Sequence, residues 1–222
     1  MSGGRLDRFP VSDAARAQAD RILQHLSHEL RQPLSSIESI AYYLEMVLAN
    51  AGEEVLDRCA ELRRLVEESS WLLDNASLSM RVGEAEVASV PAAGILERLA
   101  AQMALREERN IELVVEPGVP EVMAPSSVAA QFFDHLLKFF RCVAQCADPL
   151  RVTLRREHGS VRLAIQANVG PQPGEFRKTL DPPPCGNGVR RFMEAAGGSL
   201  SFEQGEESLK AVLLFQPGEK PA

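Results

Sequence analysis

The amino-acid sequence predicts an α+β protein in two parts, a helical hairpin followed by an α/β sandwich. Two observations predict it. As far as residue 83, apolar side chains recur at alternating steps of three and four, the seam of a helical bundle. Beyond residue 83, short apolar runs and helical stretches are cut by Pro and Gly, the punctuation of a mixed sheet.

Residues 1–12 read as a loose leader ending near Pro10. Residues 13–50 are helical, with Leu23, Leu26, Leu30, Pro33, Ile37, Ile40, Leu44 and Val47 forming the seam. Ala51-Gly52 makes a short turn. A second helix carries Val55, Cys59, Leu62, Val66, Ser69, Leu73, Ala76 and Met80 with the same rhythm. Residues 13–83 therefore form an αα-hairpin with one apolar stripe on each helix. One hairpin buries two such stripes poorly. Pairing with a second copy across a two-fold axis gives a four-helix bundle, so a homodimer is expected.

Residues 84–218 form the second part. A short strand at 86–90 is ended by Pro91, a helix spans 92–106, and a strand at 111–115 is closed by Pro117-Gly118. A helix follows at 126–146, then a hairpin of strands 150–156 and 161–167 around His158-Gly159. Residues 169–184 are rich in Pro and Gly and read as a loop. A helix at 188–196 stops at Gly197-Gly198, and strands 199–203 and 209–215 make the last hairpin. Elements in this order predict an α+β sandwich whose sheet is covered on one face.

Composition narrows the function classes. With 222 residues the chain has room for two small domains. No apolar run approaches the roughly 20 residues that cross a bilayer, and the N-terminus lacks a signal-peptide core, so a cytoplasmic protein without membrane contact is expected. A net charge of −7 argues against nucleic-acid binding. Cys59, Cys142, Cys146 and Cys185 show no metal-site spacing; Cys142 and Cys146 read as small buried residues.

The chemistry concentrates on the first helix. His28 falls opposite the seam, and Gln32, Ser35, Ser39 and Tyr42 share its outward strip at steps of four and three. A surface imidazole with an adjacent base can accept a phosphoryl group and pass it on. Glu29 can hold one ring nitrogen of His28 and so select the tautomer whose other nitrogen attacks. Gln32, one turn on, can orient a water or a phosphoryl oxygen. His25 lacks a following acid and reads as a surface residue. A metal site from His25, His28 and Glu29 would need a fourth ligand that the sequence does not offer.

The block Ser27-His28-Glu29-Leu30-Arg31-Gln32-Pro33-Leu34 resembles the H-box of sensor histidine kinases. The resemblance makes His28 the phosphoacceptor, with Glu29 and Gln32 as its catalytic neighbours. It makes Arg31, Ser35, Ser39 and Tyr42 a surface for a partner protein. The second part resembles, in the order and length of its elements, the Bergerat-like ATP-binding domain of those kinases. Such domains hold Mg-ATP with an asparagine-bearing helix, an Asp-x-Gly-x-Gly loop and a Gly-x-Gly loop.

This chain departs from that pattern. Aligned on Leu136-Leu137, the metal-binding asparagine is Phe139, which offers no oxygen to Mg²⁺. The adenine-binding aspartate is Asn168, and the second glycine of its loop, after Gly170, is Gln172. Gly186-Asn187-Gly188 survives, but a helix start that needs small residues explains it as well as phosphate binding does. Phe139 and Phe140 either fill the space of a nucleotide or form part of the core. Lys138, Arg141, Arg190 and Arg191 read as solvated helix faces.

Taken whole, from about residue 13, the chain resembles the dimeric histidine phosphotransferases of bacterial phosphorelays. These share kinase ancestry but take phosphate from one receiver domain and give it to another. The resemblance implies phosphotransfer through His28, no cofactor of the chain's own, and Mg²⁺ only on the receiver. Two alternatives stay open: a divergent kinase that still autophosphorylates, and a response-regulator phosphatase or binding partner.

Overall fold

The structure is a computed structural model that describes residues 13–48, 53–106, 111–143, 148–169, 187–205 and 207–218. The expected leader, the Ala51-Gly52 turn, Cys146 and residues 170–186, with Gly170, Gln172, Cys185 and Gly186, lie outside those.

Helices α1 (Asp13–Val47) and α2 (Glu53–Val82) pack along each other. The covered side of α1 runs through Ser27, Arg31, Leu34 and Ala41, where Ala41 is fully buried. Each of these lies one residue beyond a member of the expected seam. The seam itself faces outward: Leu26 is 47% exposed, Leu30 46% and Ile40 56%, and Ile37 and Val47 are exposed with them. On α2 the seam residues Cys59 and Val66 are buried, whereas Val55 and Leu62 are exposed. The two stripes therefore meet only in part within one hairpin, and small side chains such as Ala41 set the contact between its helices.

The second part opens with β1 (Val87–Val90) and α3 (Ala92–Arg106), followed by β2 (Ile111–Val115) and β3 (Val122–Pro125). A 3₁₀ turn at Ser126–Val128 then leads into α4 (Ala129–Val143). After it come β4 (Leu150–Glu157), β5 (Ser160–Asn168), α5 (Asn187–Ala195), β6 (Ser199–Gln204) and β7 (Ser208–Phe215). Strand β3 has no counterpart among the expected elements. It is four residues long, closes on Pro125, and exists by pairing antiparallel with the equally short β1. The helix expected at 126–146 begins instead with the 3₁₀ turn and is described only to Val143.

The main sheet runs in the order β2-β4-β5-β7-β6. Only β2 and β4 are parallel; the remaining pairs are antiparallel. The β4–β5 turn places His158 at φ +48° and Gly159 at φ +82°, the left-handed pair of a tight hairpin turn. Along β4, Leu150, Val152 and Leu154 are buried while Arg151 and Arg155 face water. One face is therefore core and the other solvated, as expected for this class.

Phe132, Phe133, Leu136, Leu137 and Phe140 of α4 press onto Leu154, Leu163, Ile165 and Phe215 of the sheet. Trp71, Leu78 and Val82 of α2 belong to that same buried cluster. These three follow one another on α2 at steps of seven and four, a stripe separate from its seam. The C-terminal turns of α2 thus lie against α4 and α5 as part of the sandwich core.

Candidate functional site

The histidine strip lies on a helix whose other side is anchored. Ser27 is buried, and its neighbour His28 is on α1, although the His28 side chain falls outside the described ones. His25, Glu29 and Gln32 are exposed. Arg31, placed by the sequence among partner-binding residues, is the member that turns inward: its guanidinium donates to Asp74 of α2 at 2.7 Å. Ser35 and Ser39 are exposed, and Ser39 Oγ folds back to donate to the Ser35 carbonyl at 2.9 Å. Arg31, Gln32, Ser35, Ser36 and Ser39 line a shallow groove of about 500 Å³. Tyr42 stands beyond it, 62% exposed. The outward strip is polar, made of small side chains, and open.

The joint of α2 with α4 and α5 is the reverse. Phe139 is buried, with its ring 5.4 Å from Trp71 of α2 and 5.5 Å from Phe140. Of the two sequence readings of Phe139 and Phe140, core membership describes both. One turn earlier, His135 stacks on Trp71 at 4.7 Å and 16°. His135 is 1% exposed, and burial pushes its pKa down to about 3 against the pull of Asp134, so the ring is neutral at physiological pH.

Gly188, in the first turn of α5, donates its N–H to Asn75 Oδ1 at 3.1 Å. A Cβ at Gly188 would lie 2.6 Å from the Asn75 carbonyl oxygen, so only glycine lets α2 approach this closely. Arg191 donates to the carbonyl and hydroxyl oxygens of Ser79 at 3.0 and 3.1 Å. Arg191 is exposed, as expected of a solvated helix face, and also reaches α2, which offers it acceptors that no reading of α5 alone reveals. Lys138 pairs with Asp134 at 2.8 Å along α4. Asn168, in the place of the adenine-binding aspartate, donates to Asp148 at 3.1 Å.

Sequence reasoning missed Trp71, Asn75, Ser79 and His135 as functional neighbours. A signal was present. Trp71, Asn75, Leu78 and Val82 step by four, three and four, a second stripe on α2 that needs a partner of its own. His135 carried no signal, because only the stacking geometry distinguishes it from an ordinary core histidine.

No protein-family model matches the chain. It is 26% identical over 232 aligned residues to the methanogenesis regulatory histidine kinase FilI of Methanothrix harundinacea (strain 6Ac), covering 95% of this chain and 26% of FilI. It shares its fold with full-length ShkA in complex with AMPPNP, at TM-score 0.52 and 21% identity over 91% of this chain and 47% of ShkA. The chain is histidine kinase-like. The same fold recurs in the Acinetobacter baumannii histidine kinase AdeS, at TM-score 0.53 and 12% identity over 86% of this chain and 98% of AdeS. This histidine kinase-like chain spans about a quarter of the length of FilI and about half of ShkA. Among the described residues, no helix is long and apolar enough to cross a membrane.

Proposed function

We propose that the chain is a histidine phosphotransferase of a two-component phosphorelay, charged by a receiver domain instead of by ATP. The observation that carries this reading is the packing of Trp71 of α2 against Phe139 and His135 of α4. In the resemblance to kinases, Phe139 stands where an asparagine would hold Mg²⁺. A phenyl ring backed by an indole is a poor ligand for a hard cation. The Gly188 N–H, from the surviving Gly-x-Gly, is already taken by Asn75. These residues do not suit Mg-ATP, and the reaction is derived without it.

In the reaction, a lone pair on one ring nitrogen of His28 attacks the phosphorus of a receiver aspartyl phosphate. The N–P bond forms as the P–O bond to aspartate breaks, and that electron pair leaves on the receiver carboxylate. The second ring nitrogen keeps its proton, and the positive charge on the ring is stabilised by Glu29. Transfer to a second receiver aspartate reverses the step. Mg²⁺ is supplied by the receiver, and catalysis is mainly positioning. Gln32, Ser35, Ser39 and Tyr42 form the docking strip, and their exposure supports that role. The outward stripe of Leu26, Leu30, Ile37 and Ile40 supports a homodimeric four-helix bundle in which a second copy covers it. The reading places the protein in the cytoplasm.

The test mixes the protein separately with labelled ATP and with a labelled receiver. Label is expected on His28 from the receiver, and none from ATP or in His28→Ala. Label from ATP would sink the proposal in favour of a divergent kinase. The exposure of Gln32 beside the groove favours one second reading, a receiver phosphatase. Loss of receiver dephosphorylation in Gln32→Ala with phosphotransfer intact would establish that activity.

A further inference from the structure

Three concave surfaces of the chain join end to end. The shallow groove along the strip is lined by Arg31, Gln32, Ser35, Ser36 and Ser39. Arg31 also lines a half-open cleft of about 390 Å³, where α1 and α2 face Gln131, Asp134 and Lys138 of α4. Those three α4 residues in turn line a cleft of about 370 Å³ that Leu99, Gln102 and Met103 of α3 close on the far side. One surface therefore runs from the strip through Arg31 and over the outer ridge of α4 to α3. The joint holds that ridge in place. Trp71 of α2 stacks on His135, and Arg81 of α2 donates to Gln131 at 2.7 Å.

Area and charge both bear on what this surface is for. From His28 to Tyr42 the strip is about 21 Å long and one helix, about 10 Å, wide, a footprint of roughly 200 Å². A specific complex buries about 800 Å² on each partner, so the strip alone is too small a seat. The rest comes from what flanks it. One flank is the apolar stripe of Leu26, Leu30, Ile37 and Ile40, which suits a second copy of the chain. The other flank begins at Arg31 and leads to α4. Along it, Arg31, Arg81, Lys138 and Arg141 stand with Asp74 and Asp134, a net charge of +2 on a chain whose net charge is −7. A positive surface on an acidic chain steers acidic partners to itself.

We propose that the outer ridge of α4 is the second wall of the receiver's docking site, with Arg81 and Lys138 facing the acidic rim of the receiver's phosphorylated aspartate. The identity of that partner rests on the relay reading. An aspartyl phosphate is anionic and Mg²⁺ is held by carboxylates and phosphate oxygens, so the receiver brings such a rim. The ridge gives the sandwich a role that needs no nucleotide. Its exposed charges act on the rate of encounter and fade with salt, whereas the small side chains of the strip admit the receiver to His28.

The test mixes the full chain with receiver domains from the same genome, each carrying beryllofluoride as an acyl-phosphate mimic, and records association by stopped flow. Arg81 is exposed and Lys138 is half-exposed, so Arg81→Glu and Lys138→Glu keep the fold. Each should slow association about tenfold at low salt, with the difference fading at high salt and dissociation little changed. Arg151→Glu makes the same charge change on the solvated face of the sheet and should leave the rate as it is. Association slowed as much by Arg151→Glu, or unaltered in both ridge variants, overturns the inference and leaves the relay reading standing. A changed oligomeric state in the ridge variants assigns the ridge to a second copy of the chain and overturns it likewise. Slowed association with no label reaching His28 keeps the docking surface and removes the relay. If no receiver domain binds, both fall.

Discussion

The outward strip of α1 and the joint beneath it are built from neighbouring residues and obey opposite rules. Gln32, Ser35, Ser39 and Tyr42 face water and touch the chain mainly through their own helix, as in the Ser39 to Ser35 bond. A few residues away in space, Trp71, His135 and Phe139 are stacked and buried, and Asn75 caps Gly188 across the joint. The strip is a surface that other molecules can change cheaply. The joint is core, and each alteration there is felt through packing.

That contrast breaks most visibly at Trp71. Trp71→Ala should lower stability by about 3–5 kcal/mol in urea denaturation, the usual range for a buried aromatic truncated to alanine. An unchanged midpoint would mean that α2 does not hold the sandwich. The next effect is with pH. Folded His135 resists protonation down to about 3, whereas the unfolded chain takes the proton near 6.5. Between those values the unfolded state binds more protons, so stability is present above about 6.5 and is lost as pH falls. At about pH 4.5 the loss is about 2–3 kcal/mol, and His135→Leu should remove that part of the acid dependence. Asp134 and Lys138, which also act on this histidine, stay in the variant as an internal control.

Gly188→Ala comes third. Its added Cβ meets the Asn75 carbonyl oxygen, a backbone atom that cannot swing aside. Overpacking of this kind costs about 1–3 kcal/mol, read from the denaturation midpoint. At the small end, Ser39→Ala on the strip should move stability by less than about 0.5 kcal/mol. The same variant should alter the rate of labelling by a receiver, a split between stability and exchange that no joint variant reproduces.

Much of the architecture was legible in the sequence because it depends on local patterning. The alternation of Leu150, Val152 and Leu154 marks a strand by itself, and His158-Gly159 marks the turn that follows. Strand β3 was not legible, since four residues ending in Pro125 acquire strand character only when β1 lies beside them. The H-box was legible as a block of residue types. The inward turn of Arg31 was not, because Asp74 is 43 positions away and only the packing of α1 on α2 brings it near.

The sequence by itself determined the two-part α+β order, the apolar stripes of the hairpin and the polar strip around His28. Each of these follows from side-chain periodicity along one element. The tertiary structure alone decided that Trp71 of α2 packs on His135 and Phe139 of α4, and why Gly188 must be glycine. Those answers depend on distances of a few ångströms between α2 and helices far along the chain, and no local pattern encodes such distances.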